Sequence, residues 1–355
     1  MVLVSIVVPT YNEADNLPLL VERLDRGLRD AGYEYEVLVM DDKSPDGTYE
    51  VAKKLAGKYP VRPFLREGPK GLSPAVVDGF REARGDVIVV MDADLQHPPE
   101  LVPELVGKVL EGYDIVIGSR YVEGGRIENW KWYRRLVSLG AVLFVRVFLP
   151  RLKGIKDPVS GFFAVRREVV EECLDRLNPL GFKILLELLV KAKYERVAEV
   201  PIVFRERVHG KSKLGAKTIL EMVIHTLKLA RYSGDLLRAV KFAVVGASGV
   251  FVYLGSAKLL YGLIGGPWIV SLLLAFEVSV LSNFVLNDLW TYRDARGKGF
   301  WRRFFGFHKA SYVGGVVQIA VHDLLMGVVG WVLAGLIGVG LGYLVRYFLT
   351  NWEYF

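Results

Sequence analysis

Two patterns of apolar and polar positions divide this chain. In residues 1–130 short apolar runs alternate with stretches of helical periodicity. Val2–Pro9 is nearly continuous and β-branched, as a strand covered on both faces requires. Leu17, Leu20, Leu24 and Leu28 recur at helical spacing within Asn16–Ala31, which predicts an amphipathic helix. Further strands are predicted at Tyr35–Met40, Val61–Leu65, Val87–Met91 and Ile115–Gly118, and helices at Asp46–Lys58, Ser73–Ala83 and Arg167–Leu177. The alternation predicts an α/β domain on a mostly parallel sheet with helices on both faces.

Beyond Gly234 the pattern changes to apolar windows long enough to cross a hydrocarbon core, which takes about 20 residues as helix. Four spans are predicted, near 239–264, 267–290, 306–329 and 331–350. Gly262, Gly265, Gly266 and Pro267 separate the first two as a hairpin, whereas the third and fourth nearly abut. Gly246, Gly249, Gly314, Gly315, Gly338 and Gly342 suit close approach of helices. Glu277, His322 and Asp323 fall inside spans, which leaves two readings open, a polar conduit or an interhelical clamp. Two stretches before the spans carry one-sided apolar faces. Residues 130–153 combine Trp130, Trp132, Tyr133, Arg134 and Arg135 with an apolar run, and 216–232 place Ile219, Leu220, Val223, Leu227 and Ala230 in a stripe. Both predict helices lying in the membrane interface; for the first, a core helix of the soluble domain is the alternative.

Charge sharpens this division. Residues 235–355 hold 10 of the 46 Lys and Arg and 6 of the 39 Asp and Glu, so most charge lies in the first 234 residues. The net charge of +7 is shared almost evenly between the two parts. One cysteine and 12% aromatic residues exclude disulfide-stapled and disordered classes. Pro9 and Asn12 interrupt the N-terminal apolar run, so no cleavable signal peptide is expected. Arg231, Arg238 and Lys241 precede the first span, and Arg293, Arg296, Lys298, Arg302 and Arg303 separate the second from the third. Basic flanks stay on the cytoplasmic side, which predicts a multi-pass protein with its N-terminal domain and C-terminus in the cytoplasm. The organisation expected is thus 1–215 as a catalytic domain, 216–234 as an interface helix and 235–355 as a membrane domain.

Parallel sheets bind ligands at the carboxyl ends of their strands, and those ends are rich in chemistry here. The first strand ends in Pro9-Thr10-Tyr11-Asn12-Glu13, the second in Asp41-Asp42-Lys43-Ser44-Pro45-Asp46-Gly47-Thr48, and the strand at Val87–Met91 in Asp92-Ala93-Asp94-Leu95-Gln96-His97. No G-x-G-x-x-G follows the first strand and no G-x-x-x-x-G-K-[ST] occurs, which disfavours a dinucleotide Rossmann site and a P-loop. Asp92 and Asp94 are carboxylates two apart at a strand end, an arrangement that holds a hard divalent cation completed by substrate phosphates. Arg120 after Ile115–Gly118, and Arg205, Arg207, Lys211 and Lys213 around Gly210 and Ser212, offer cations for a diphosphate or for anionic lipid. Arg134 and Ser138 share a helix face at i and i+4. His97, before two prolines, reads as a turn residue rather than a ligand, and Cys173 as a buried thiol.

The PTYNE, DDKSPDGT and DADLQHPP segments, in this order and each after a strand, resemble the family 2 glycosyltransferases of GT-A nucleotide-sugar fold, over about residues 1–215. The later DPVSGFFAVRREV and VPIVFRERVHGKSKLG segments resemble the dolichol-phosphate mannose synthase branch, and the four spans resemble a small membrane module fused to some of these enzymes. The resemblance implies that Pro9, Tyr11, Glu13 and Asp42 hold the nucleoside, with Asp41 as an alternative for one role. It implies that Asp92, Ala93 and Asp94 meet ribose and diphosphate, with Asp92, Asp94 and Gln96 on Mg²⁺ or Mn²⁺. Arg120, Arg205, Arg207, Lys211 and Lys213 would complete the donor site, and Arg134, Ser138 and Ser212 the acceptor phosphate site. The implied reaction is transfer of mannose from GDP-mannose to dolichyl or another polyprenyl phosphate with inversion. The segment Lys183–Leu188, where a base would be sought, carries no acidic pair; a phosphate acceptor, with a second pKa of about 6, needs none. Glu187 stays open between a core-edge residue and an acceptor contact. Partners expected are the nucleotide sugar, the lipid phosphate and the bilayer, with no nucleic acid and no obligate protein partner. UDP-glucose as donor and, from another class, a nucleotide-regulated lipid transporter are the alternatives.

Overall fold

The computed structural model describes residues 2–178, 183–205, 215–264, 267–294 and 297–354. The chain divides into two compact units, Met1–Val142 with Gly154–Leu229, and Leu143–Lys153 with Ala230–Phe355.

In the first unit β1 (Leu3–Thr10), α1 (Leu17–Asp30), β2 (Glu34–Asp41), α2 (Thr48–Ala56), β3 (Val61–Leu65), α3 (Leu72–Glu82), β4 (Val87–Val90), α4 (Val102–Leu110) and β5 (Ile115–Ser119) follow the predicted alternation. A short β6 (Arg126–Ile127) leads to α5 (Trp132–Phe148), whose last turns belong to the second unit. Then come β7 (Phe163–Arg166), α6 (Arg167–Cys173), α7 (Ile184–Lys191), β8 (Val197–Pro201), β9 (Val203–Phe204) and α8 (Ala216–Tyr232). The main sheet has the order β3-β2-β1-β4-β7-β5-β8, and β6 pairs with β9 beside it. β1 is central, flanked in parallel by β2 and β4, and this two-sided cover is why its sequence is apolar throughout. On α1 the side chains of Leu17, Leu20, Val21, Leu24 and Leu28 are fully buried, each stabilising by about 1.5–3 kcal/mol relative to exposure. The predicted helix over 167–177 stops at Cys173 and continues as a 3₁₀ turn, Leu174–Arg176. Cys173 is buried, and burial pushes its thiol up to about 11.

One strand breaks the parallel pattern. β7 runs antiparallel between β4 and β5, with Phe163 opposite both Val90 and Ile117. It therefore starts where its two neighbours end, bringing Ser160-Gly161-Phe162 to the carboxyl edge of the sheet.

The second unit carries α9 (Asp235–Ile264), α10 (Trp268–Leu286), α11 (Phe300–Val329) and α12 (Trp331–Tyr354), each long and apolar enough to span a membrane. These are the four spans expected, but α9 and α11 begin earlier and α12 ends later than hydropathy suggested. The charges in those extra turns are paired: Arg238 with Asp235 at 2.6 Å, Arg303 with Asp288 at 2.8 Å, and Tyr354 donating to Asp288 at 2.9 Å. A π turn, Asn287–Thr291, ends α10. Gly330, at φ +83°, makes the break between α11 and α12. Close approach also needs glycine: a Cβ on Gly249 would lie 2.3 Å from the Asn283 amide, and one on Gly342 2.7 Å from the Gly314 carbonyl. Gly246 and Gly315 meet nothing. Between α10 and α11 Tyr312 donates to Glu277, as a clamp requires. His322 and Asp323 correct that reading: their side chains pair with each other, 3.1 Å apart on one helix.

Candidate active site

The loops after β1, β2 and β4 meet at one edge, and each contains a non-glycine residue in the left-handed region: Asn12 at φ +61°, Lys43 at +58° and Leu95 at +60°. Such conformations persist where surrounding bonds overdetermine them, and they cluster at functional sites. The first two loops are laced by short polar side chains. Asp41 accepts from Thr10 Oγ1 at 3.0 Å and from Ser44 Oγ at 2.5 Å, and Ser44 Oγ accepts the Asn12 N–H at 3.0 Å. Thr48 Oγ1 accepts the Glu13 N–H at 2.9 Å, and Asp46 accepts from Ala14 and Thr48. Burial pushes the Asp46 carboxyl up, but the Thr48 hydroxyl and the Ala14 and Thr48 amides outweigh it and hold it below its ordinary value. Asp42 is bonded to buried Arg66 and accepts the Gly71 N–H at 2.7 Å. Glu13 accepts from Asn16 at 2.7 Å. Tyr11 is 39% exposed with the Lys70 ammonium 5.9 Å from its ring centre. Pro9, in β1, stands opposite Met40.

At the end of β4, Asp94 Oδ1 accepts the Gln96 N–H at 3.2 Å across Leu95, a local turn of the kind Asp favours. Gln96 donates its side-chain amide to the Arg205 carbonyl at 2.9 Å and its carbonyl accepts the Arg205 N–H at 3.3 Å, so Arg205 is strapped beside the carboxylates. Arg207, Lys211, Ser212 and Lys213 lie outside the described residues. Ala93 is buried. His97 is buried between Phe162, at 5.3 Å, and Phe204, at 5.4 Å, and its Nδ1 accepts the Asp92 N–H at 3.4 Å. Desolvation pushes this imidazole down to about 4, so it is neutral at pH 7 and serves as a packed support. The aromatic contacts continue through Trp130, 5.6 Å from Phe204, to the Arg134 guanidinium, 4.8 Å from the Trp130 ring.

Arg120, after β5, is held by fully buried Asp157 through Nε at 2.7 Å and Nη2 at 2.8 Å. Its neighbour Tyr121 donates to Ser138 at 2.7 Å, which ties the Arg134–Ser138 face of α5 to this loop. Lys183 donates to the Val159 carbonyl at 2.6 Å. Burial pushes its ammonium down to about 8, Arg120 adds to that push, and Asp157 and Asp92 oppose it. Glu187 is buried against Lys191 at 2.6 Å and His225 at 2.9 Å, a core position joining α7 to α8.

Comparison with known proteins follows the same division. Residues 5–174 match the family "Glycosyl transferase family 2", and residues 241–355 match "GtrA/DPMS, transmembrane domain". A protein of Pyrococcus furiosus named dolichol-phosphate mannosyltransferase is 48% identical over 98% of both chains. The chain is a family 2 glycosyltransferase with a GtrA/DPMS membrane domain. A dolichol-phosphate mannosyltransferase of Saccharomyces cerevisiae is 41% identical over 61% of this chain and 83% of its own. Among solved structures, mannosyl-3-phosphoglycerate synthase from Rubrobacter xylanophilus is 24% identical, covering 66% of this chain and 76% of that one at a TM-score of 0.49.

In this glycosyltransferase several organising residues escaped sequence reasoning: Arg66, Asp157, Lys183, the Ser44 and Thr48 hydroxyls, and His97 as a support. Asp157 and Gly161 did stand in a recognised segment, DPVSGFF, but without a role. A Cβ on Gly161 would lie 3.3 Å from His97 Cε1 and 3.4 Å from Asp92 Oδ2. Gly161→Ala is therefore expected to press on His97, whose Nδ1 accepts the Asp92 N–H, and so to shift Asp92 and lower turnover about tenfold, with little change in melting temperature. Wild-type turnover in that variant would show that the Asp92 position tolerates displacement.

Proposed function

We propose that this enzyme transfers mannose from GDP-mannose to dolichyl or another polyprenyl phosphate with inversion at the anomeric carbon. The observation that carries this reading is the 48% identity, along both whole chains, to a protein named dolichol-phosphate mannosyltransferase. The site supports it in detail. Pro9, Tyr11, Glu13, Asp41 and Asp42 form the nucleoside edge; Tyr11 stacks on the base, and Arg66 fixes Asp42. Asp92, Asp94 and Gln96 would hold Mg²⁺ or Mn²⁺. No group of three His, Cys, Asp or Glu suited to a metal occurs among the described residues, but two carboxylates suffice for a hard cation that shares its shell with substrate phosphates. Bound there, the ion would neutralise charge on the leaving diphosphate. Arg120 and Arg205 would face the same anion.

Arg134 and Ser138 take the acceptor phosphate. Trp132, Tyr133, Leu136 and Leu139 are exposed on α5, and Ile219, Leu220 and Ile224 on α8. These faces suit burial in a membrane interface, where a lipid phosphate resides. That phosphate arrives ionised, and Glu187, paired in the core, is not placed as a base. The basic flanks of the spans orient the catalytic domain, residues 1–215, and the C-terminus toward the cytoplasm.

The test is a donor panel on the full chain in neutral detergent with dolichyl phosphate, Mg²⁺ or Mn²⁺. GDP-mannose is expected to raise the melting temperature and to yield lipid-linked mannose, both lost with a chelator. Transfer from UDP-glucose in its place would overturn the donor assignment.

A further inference from the structure

The membrane unit contains a half-open cavity of about 260 Å³ that the catalytic reading does not use. Six of its lining residues are Gly246, Ser279, Asn283, Asn287, Gln318 and Arg346. Gln318 stands near the middle of α11 and Gly246 near the middle of α9, a depth at which polar groups are expensive and mark function. The cation there is unusual in its surroundings. Arg346 donates through Nη2 to Gln318 Oε1 at 2.9 Å, a neutral partner, and its buried Nε has no hydrogen-bond partner. Among the described residues no carboxylate lies within ion-pair distance of it; the acidic residues Asp235, Glu277, Asp288, Asp294, Asp323 and Glu353 are each engaged elsewhere.

Two further features argue for a built site. Gly314 clears the path of the side chain, since a Cβ there would fall 2.1 Å from Arg346 Cγ. The π turn at the end of α10 carries Asn287 into the cavity wall, and interruptions of this kind recur at functional sites. Asn287 is 1% exposed, and its Oδ1, like that of Asn283, has no partner. Asn and Gln amides donate or accept according to how they are turned. A buried guanidinium without a counter-ion calls for an anion, and a planar fork of donors suits phosphate.

We propose that this cavity binds the phosphate headgroup of a membrane lipid, with Arg346 as the anion contact and Gln318, Asn283 and Asn287 around it. In hydrocarbon the lipid tail stays among the helices while the headgroup supplies the missing charge. This site is independent of the donor assignment, because it is read by lipid binding rather than by transfer.

The test counts lipids on the full chain in neutral detergent by native mass spectrometry, alongside melting curves. The probes are dolichyl phosphate, phosphatidylglycerol, dolichol and inorganic phosphate. Arg346→Met is expected to hold one phospho-lipid fewer than wild type, to lose at least tenfold in affinity for that lipid, and to melt no lower without lipid, since an uncompensated cation has been removed. Gln318→Leu provides the same comparison by a second route. Arg134→Ala is expected to keep the lipid that Arg346→Met loses. Dolichol and inorganic phosphate are expected to leave melting unchanged, and the two phospho-lipids identify the preferred tail. An unchanged lipid count and affinity in Arg346→Met and Gln318→Leu, or equal stabilisation by inorganic phosphate alone, would overturn the proposal.

Discussion

Asp94→Ala is expected to reduce mannosyl transfer by about 10²–10³-fold while the protein stays folded. The two effects separate because they draw on different interactions. One structural bond of Asp94 is that from the Gln96 N–H to its Oδ1 at 3.2 Å, and a typical hydrogen bond contributes about 0.5–1.5 kcal/mol net. The catalytic role concerns charge. Transfer leaves negative charge on the departing diphosphate, and removing a charge-stabilising group typically costs about 10²–10³ or more in rate, equivalent to about 3–4 kcal/mol. Asp94→Asn makes the distinction sharper: the amide oxygen retains the Gln96 bond, so melting should match wild type, yet the lost charge should make transfer as poor as in Asp94→Ala. Both variants are also expected to lose the rise in melting temperature that Mn²⁺ gives with GDP-mannose. Near-normal transfer by Asp94→Asn would sink the charge argument and with it the assignment of the carboxylates to a metal.

The strand-end motifs were legible because topology places them without help from distant sequence. In a parallel sheet every residue following a strand falls at one edge, so Tyr11, Asp42 and Asp94 are brought together once the strands are recognised. Residues that hold them in place were not legible. Asp157 and Gly161 reach the edge because β7 runs antiparallel between β4 and β5, and a four-residue apolar strand reads alike in either direction. His97 looked like a turn residue before two prolines; its packing between Phe162 and Phe204 depends on contacts across more than sixty and a hundred positions. Lys183 sits in a stretch apolar apart from itself and Glu187, whose informative feature seemed to be its lack of an acidic pair. In the membrane domain hydropathy located the spans but trimmed their charged ends, because a scale that penalises Arg303 cannot see that Asp288 pairs with it. Arg346 was overlooked for the opposite reason: one charge in an apolar window hardly alters the average.

Asp157→Ala is expected to damage stability and transfer together, and the pair of effects can be taken apart. Asp157 is fully buried and accepts from the Arg120 side chain twice and from its backbone N–H at 3.1 Å. Burial alone would push the Arg120 guanidinium down, but the Asp157 bonds and charge outweigh it and hold it above its ordinary value. Removing the carboxylate leaves a buried cation without its partner, a change that costs about 3–5 kcal/mol. For a domain of this size that corresponds to a fall of roughly 10 °C in melting temperature. Transfer should be lost well below the new midpoint, since Arg120 would no longer be aimed. Replacing both members by apolar residues, Arg120→Met with Asp157→Leu, removes the unpaired charge and is expected to recover most of the melting temperature. Transfer should not recover with it, because the cation proposed to face the diphosphate is gone. A double variant that transfers at the wild-type rate would remove Arg120 from the donor site, and an Asp157→Ala variant that melts like wild type would show that the ion pair contributes nothing to holding the loop after β5.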